Sequence, residues 1–410
     1  MLHKYLDYEG TILKKIARIL NVRKHKFVVF VDAYTNNQRI EQLLFDRETF
    51  TNARLKMGDC FATDGIEGIS KSGQQIFNVN QVLWVSPSQN WKPAQNIPTK
   101  EKGYDRYAQE NALNSGDQLR VFRFKNELIR RISALLDQDG FEPVKCQVLE
   151  PERTGSAVPV FETKTHFGNE QLYLRITSEN QLKQTSAMLL KSVYTIDHVF
   201  YNKHADAKHQ PEFCTLEFVA LDYSKQELSR FITRLSQISF DLCSKYNFET
   251  EQPKLPEIVD YTDLERMNIK YQRRIPEFEN TILTNVPVNN PFVRSNLNGV
   301  RTETRWYLNG SLTAHGYEDE VDPQKIQQAL EKQKEENHCD NVNEMHYFKW
   351  GLPKSVSFGL GIDALVCRYL NLEHMTLATN PLGINYTHPT QTIQSDHLVK
   401  QMLMQKENSK

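Results

Sequence analysis

The sequence has no Cys-x-x-Cys pair, no unbroken apolar run of about 18 residues, no Gly-rich phosphate loop and no excess charge of either sign. Each absence excludes something. The six cysteines, Cys60, Cys146, Cys214, Cys243, Cys339 and Cys367, are scattered, which argues against a zinc site and fits reduced thiols in the cytoplasm. Without a long apolar run or a recognisable signal peptide, neither secretion nor a membrane partner is expected. Lys plus Arg number 50 against 51 Asp plus Glu, so any nucleic-acid contact has to come from a local basic patch. There is no P-loop and no nucleophile elbow. The histidines His204, His209 and His315 fit no metal-ligand spacing and read as surface or loop residues.

What is present is ordinary globular composition, 39% apolar and 25% charged over 410 residues, long enough for two domains. Residues 1–16 alternate charge with Leu and Ile and suit a short helix or a leading strand. From Ala17 to Val85, short apolar runs (KFVVFVDAY, RIEQLLFD, DCFATDGIEGI, QIFNVNQVLWV) are separated by Asn, Gly and Ser. That spacing predicts a small β-barrel, for which the OB-fold is the natural form. Residues 87–98 read as a linker. Residues 118–140 carry apolar side chains at helical spacing and close on Gly140. Beyond them strands and helices alternate without a regular βα rhythm, so the fold class is α+β with a mainly antiparallel sheet. Residues 324–337 form a charged helix. The expected division is 1–98 barrel with linker, 99–392 larger domain, 393–410 polar tail.

The segment VFYNKHADAKHQPEFCTLEFVALDY, residues 199–223, resembles motif 2 of the class II aminoacyl-tRNA synthetases of the aspartate, asparagine and lysine group. That family reads Phe-Arg-x-Glu, then Arg-His-x-Pro-Glu-Phe after a loop. Here the same positions hold Phe200-Tyr201-Asn202-Lys203 and Lys208-His209-Gln210-Pro211-Glu212-Phe213. The resemblance implies an OB-fold followed by a class II catalytic domain, ATP and Mg²⁺ as cofactors where ligase chemistry is retained, tRNA as an RNA partner, and a homodimer. By the same resemblance Phe213 stacks on adenine. Tyr201 replaces the arginine that meets the α-phosphate, and a neutral phenol is a weak substitute for a planar cation. Lys203 inverts the charge of the family's glutamate.

The other motifs are similar in outline. Motif 1 resembles residues 140–149, with Gln147 in place of the family's proline. The strand Leu172-Tyr173-Leu174-Arg175-Ile176 is like the lysine enzymes, and Gln181-Leu182-Lys183-Gln184 like the aspartate and asparagine enzymes. Gly359-Leu360-Gly361-Ile362-Asp363-Ala364, read as a turn, resembles motif 3, with Ala364 at the position of its arginine. Residues 309–319 resemble the stretch supplying magnesium carboxylates, of which Leu312 has lost one and Asp319 retains the other; Arg305 stands near a third. Nucleotide or substrate contacts are therefore assigned to Arg175, Tyr201, Lys203, Lys208, His209, Phe213, Arg305, Asp319 and Ala364. In the barrel, Arg23, Phe30 and Gln42 match the trio that grips the central anticodon base in this group. Lys14, Lys15, Arg18, Lys24, His25 and Lys26 would suit an RNA backbone. Three readings stay open. They are decay of an unused site, a pocket rebuilt around Lys203, Lys208, His209 and Arg305 for a small anionic ligand, or an active ligase with compensating residues.

Overall fold

A computed structural model describes residues 12–37, 39–70, 73–89, 117–153, 158–203, 208–272, 274–296, 298–337, 351–372 and 375–379. Most of the expected linker, the polar tail, residues 1–11, His204 and Cys339 fall outside these. The chain divides into two compact units, Met1–Leu119 with His388–Lys410, and Arg120–Thr387. No helix among the described residues is long and apolar enough to cross a membrane.

The first unit is a closed barrel of β1 (Leu13–Lys24), β2 (Val28–Thr35), β3 (Ile40–Asp46), β4 (Cys60–Ile69) and β5 (Gln75–Ser86), in the order β1-β2-β3-β5-β4. Period-two alternation builds it: Val29, Val31 and Ala33 of β2 point into a core with Phe45, Phe61 and Phe77, while Phe30 and Asp32 point out. Closure needs tight corners. At Gly65 a Cβ would lie 2.0 Å from the Asn78 carbonyl oxygen, so β4 and β5 approach there only because the residue has no side chain. One short helix, α1 (Arg47–Asn52), leaves β3 under an N-cap from Asp46 to the Thr49 N–H.

The second unit is an eight-stranded sheet. Its strands are β6 (Glu142–Pro143), β10 (Val193–Phe200), β11 (Glu212–Leu221), β12 (Glu257–Asp260), β13 (Asn280–Pro287), β14 (Thr302–Leu308), β15 (Ser311–Glu318) and β16 (Ser355–Gly361). The order is β12-β13-β14-β15-β16-β11-β10-β6, antiparallel except at the two outer pairs. A three-stranded sheet of β7 (Leu149–Glu150), β9 (Gln171–Leu174) and β8 (Glu162–Lys164) accompanies it. The glycines of motif 3, Gly359 and Gly361, lie in strand β16, so the segment read as a turn is extended. The β14–β15 hairpin turns through Asn309 and Gly310, both at positive φ (48° and 68°).

One face of this sheet is covered by helices α2 (Asp117–Gln138), α4 (Lys225–Lys245) and α6 (Ile362–Tyr369). Phe124, Leu128, Phe231, Leu235, Leu365 and Val366 pack there on Leu216, Phe218, Trp306, Phe358 and Leu360. Because side chains alternate along each strand, Glu217, Glu303, Arg305, His315, Tyr317, Ser357 and Gly359 fall on the other face. Helix α3 (Glu179–Leu189) packs over β10 and β11. The charged helix predicted over 324–337 is α5 (Pro323–Asn337), and α7 (Thr376–Thr379) closes the described chain.

Candidate functional site

Strands β10 and β11 form the motif 2 hairpin, with Val199 opposite Phe213 and Phe200 opposite Glu212. The Tyr201 N–H donates to the Pro211 carbonyl at 2.8 Å, carrying the pairing into the loop. The Tyr201 ring stands edge-on to Phe213, centroids 5.0 Å apart, and the Lys203 ammonium lies 5.7 Å from the Tyr201 ring. Burial, then the charge of Glu217, raise the Tyr201 pKa, so the phenol stays neutral. Lys203, Lys208 and His209 are exposed on this loop.

Beside the hairpin, under α3, lies a recess lined by charged groups that pair with one another. The Lys183 side chain is 1% exposed, with Nζ 2.5 Å from Glu179 Oε1 and 2.9 Å from Asp319 Oδ1. It lies over the rings of Phe292 and Tyr317, at 5.3 and 5.4 Å. The Tyr317 hydroxyl donates to Glu179. Asp319 also accepts from the Ser355 and Ser357 hydroxyls, at 2.7 and 2.9 Å. Burial opposes the charge of Glu179, yet Lys183 and Tyr317 hold its pKa below the usual value; in Asp319, which is fully enclosed, burial wins and the pKa rises. Next to them Glu217 accepts from the Ser178 N–H (2.5 Å) and the Thr177 hydroxyl (3.0 Å). Burial pushes its carboxyl up to about 7 against these bonds. Farther along, Glu303 pairs with Arg305 and lies 3.5 Å from His315 Nδ1, and Arg305 reaches the Tyr271 hydroxyl.

The family model for class II tRNA synthetases (D, K and N) matches residues 106–379. The chain belongs to this family. Among curated proteins it is similar to a lysine–tRNA ligase of Mesomycoplasma hyopneumoniae (strain J), 23% identical over 405 residues, 85% of this chain and 82% of that one. A lysine–tRNA ligase 2 of Methanosarcina acetivorans is 24% identical over 442 residues, covering 91% and 86%. A lysylphosphatidylglycerol biosynthesis bifunctional protein of Rhodococcus jostii is 28% identical over 223 residues, 51% of this chain and 19% of that protein.

In this class II synthetase-family chain, the residues assigned to the motifs and to the ligand take the following places. Arg175, expected at the ligand, is fully buried and directs its donors to the Cys146, Gln147 and His198 carbonyls and to Asp197 at 2.9 Å. It holds the wall together. Gln147, where motif 1 has proline, donates its N–H to Gln181 Oε1 (2.7 Å) and accepts from Gln181 Nε2 (3.0 Å); proline has no N–H to give. Ala364 lies in the first turn of α6, where a Cβ on Gly361 would come within 3.4 Å of its methyl group. The neighbouring Asp363 is structural, accepting from the Cys214 N–H at 2.9 Å and pairing with Lys125 at 2.6 Å.

Magnesium does not fit the residues present. Leu312 packs on an apolar cluster with Tyr307 and Phe278, Asp319 is enclosed by Lys183 and two serines, and Arg305 brings a cation where the resemblance places an acid. Among the described residues no group of three His, Cys, Asp or Glu is arranged to hold a metal. Lys183, Glu179, Glu217 and Tyr317 are the residues the sequence reading missed. The signal was there, since Lys183 lies in the Gln181-Leu182-Lys183-Gln184 stretch similar to the aspartate and asparagine enzymes.

In the barrel, the structure brings the expected trio onto one outer surface. Arg23 stands opposite Phe30 and Asp32 opposite Gln42 across neighbouring strands. The Asp32 carboxylate accepts from Arg23 at 2.8 Å and from Gln42 at 3.4 Å. Phe30 is half-buried and takes an edge contact from His25, centroids 5.4 Å apart. Lys15, read as part of an RNA-facing patch, is instead buried between Glu41 (2.6 Å) and Glu67 (3.0 Å).

Proposed function

We propose that this chain is a synthetase-family paralogue whose recess takes a small anionic ligand instead of lysine, and that it does not perform ordinary tRNA charging. Lys183 carries the reading. Its ammonium already lies between Glu179 and Asp319 and against two aromatic rings, so the recess holds a lysine of its own and has no carboxylate pair left for a free one. The exposed Lys203, Lys208 and His209 beside it favour an anion by charge. Tyr201, Leu312 and Ala364 remove two cations and a carboxylate from the adenylation machinery, and fixed cationic donors supply most of the stabilisation in such chemistry. ATP and Mg²⁺ would matter only to a modified ligase step. The barrel trio supports retained RNA binding, and the family supports a homodimer; free Cys146, Cys214 and Cys243, all buried, suit a reducing cytoplasm.

The test is calorimetry with L-lysine and L-aspartate, beside pyrophosphate exchange over the common amino acids. Aspartate binding without lysine binding, and no exchange with lysine, is the expected outcome. Lysine-dependent exchange would overturn it.

A further inference from the structure

His315 lies on β15, on the sheet face opposite α2, α4 and α6, between Arg305 of β14 and Gly359 of β16 in register. Its two nitrogens have different surroundings. Nδ1 lies 3.5 Å from Glu303 Oε2. Nε2 lies over Gly359, where a methyl group would come to 3.9 Å, and it has no protein partner among the described residues. Half of the side chain, 50%, is open. A carboxylate on one nitrogen fixes the ring plane and favours the charged form, leaving the other N–H to present outward.

The geometry points to His315 as the group that grips the ligand's anionic end, with Glu303 as its positioning residue and the bare backbone of Gly359 as the floor on which a carboxylate or phosphate oxygen meets Nε2. This rests on the anionic-ligand reading and names the residue that enforces it. The charged and titratable groups around the imidazole are Glu303 and Arg305 on β14, Tyr317 on its own strand, and Glu179 and Lys183 on α3; the facing residues of β16, Ser357 and Gly359, carry none, and beyond Gly359 stands Glu217 of β11, whose carboxyl burial pushes toward its neutral form. Burial opposes protonation and Arg305 repels it. The hydrogen bond and charge of Glu303, with Glu179 behind, outweigh both and raise the pKa. The protonated imidazole, the form an anion needs, is thereby favoured.

The experiment follows the His315 imidazole by NMR through a pH titration of the full chain, its signal assigned by His315→Gln. The titration is run without ligand, with inorganic phosphate and with L-aspartate, while calorimetry records affinity in parallel. An anion that binds Nε2 raises the His315 pKa by about one unit, equivalent to about tenfold tighter binding to the protonated form. Its affinity then falls as pH rises through that pKa, and His315→Gln flattens the profile. Whichever of phosphate and aspartate moves the signal identifies the ligand's anionic group. Binding of either anion with an unmoved His315 pKa, or with a pH profile unchanged in His315→Gln, overturns the inference and leaves the anionic-ligand reading intact. If neither anion binds the wild-type chain at millimolar concentration, the inference falls together with that reading.

Discussion

Replacing Lys183 by methionine keeps the length of the side chain and removes its charge. In the wild type one ammonium serves two carboxylates, Glu179 at 2.5 Å and Asp319 at 2.9 Å, inside a recess where it is 1% exposed. Removing one member of such a set leaves the others charged and buried, which costs about 3–5 kcal/mol. Ser355, Ser357 and Tyr317 hydroxyls soften the loss, placing the expectation near the lower end, about 3 kcal/mol. For a unit of this size that is a fall of roughly 6–12 °C in melting temperature. Asp319→Asn added to Lys183→Met should restore part of it, because the orphaned charge is then gone. Differential scanning calorimetry at pH 7 reads all three proteins. Lys183→Ala should also open a cationic vacancy, so that millimolar lysine raises the melting temperature of the variant and not of the wild type. A loss below about 1 kcal/mol in Lys183→Met, or equal lysine responses in Lys183→Ala and wild type, would refute the argument that this ammonium closes the recess.

Magnesium-ATP should bind weakly or not at all by calorimetry, and Tyr201→Arg with Ala364→Arg should help more than either alone, since both act on one triphosphate; a low-micromolar wild-type affinity would contradict this. Phe30→Ala should weaken binding of an anticodon stem-loop with central U by about 1–3 kcal/mol in a filter or anisotropy assay, and equal affinity for U and C stem-loops would end the claim of inherited reading. Glu217 has its carboxyl raised from 4.5 to about 7, so between those values the folded chain holds a proton that the unfolded chain has released. Its contribution is complete below pH 4.5 and lost as pH rises through 7, about 3 kcal/mol in all. Denaturant melts should therefore show Glu217→Gln gaining stability over wild type from pH 5 to pH 8, and a pH-independent difference would count against the raised value.

The barrel and the class II sheet were legible because turn spacing, strand alternation and the motif shells survive substitution. The chemistry inside the recess was less so. Glu179 and Lys183, at i and i+4 on a helix, have the pattern of an exposed ion pair, and only the packing of α3 against the sheet buries them. Arg175 misled for the converse reason: an arginine in a motif strand suggests a ligand contact, while its partners are three backbone carbonyls and Asp197, which no sequence pattern encodes. His315, read as a surface or loop residue, is half exposed on a strand, and its neighbours Glu303 and Gly359 are set by pairing across three strands, which spacing along the chain does not show.

Helix α3 has two clients. On one side Glu179 and Lys183 line the recess; on the other Gln181 exchanges two hydrogen bonds with the backbone of Gln147. Gln181 and Lys183 are two residues apart at the N-terminal end of the helix, so a ligand that pulled Lys183 away from Asp319 would strain the Gln181–Gln147 clasp on the opposite side of the same turn. A proline at 147 would sever half of that linkage. Gln147, where the resemblance places a proline, thus fastens the segment of residues 140–149 to the same turn of helix that lines the recess.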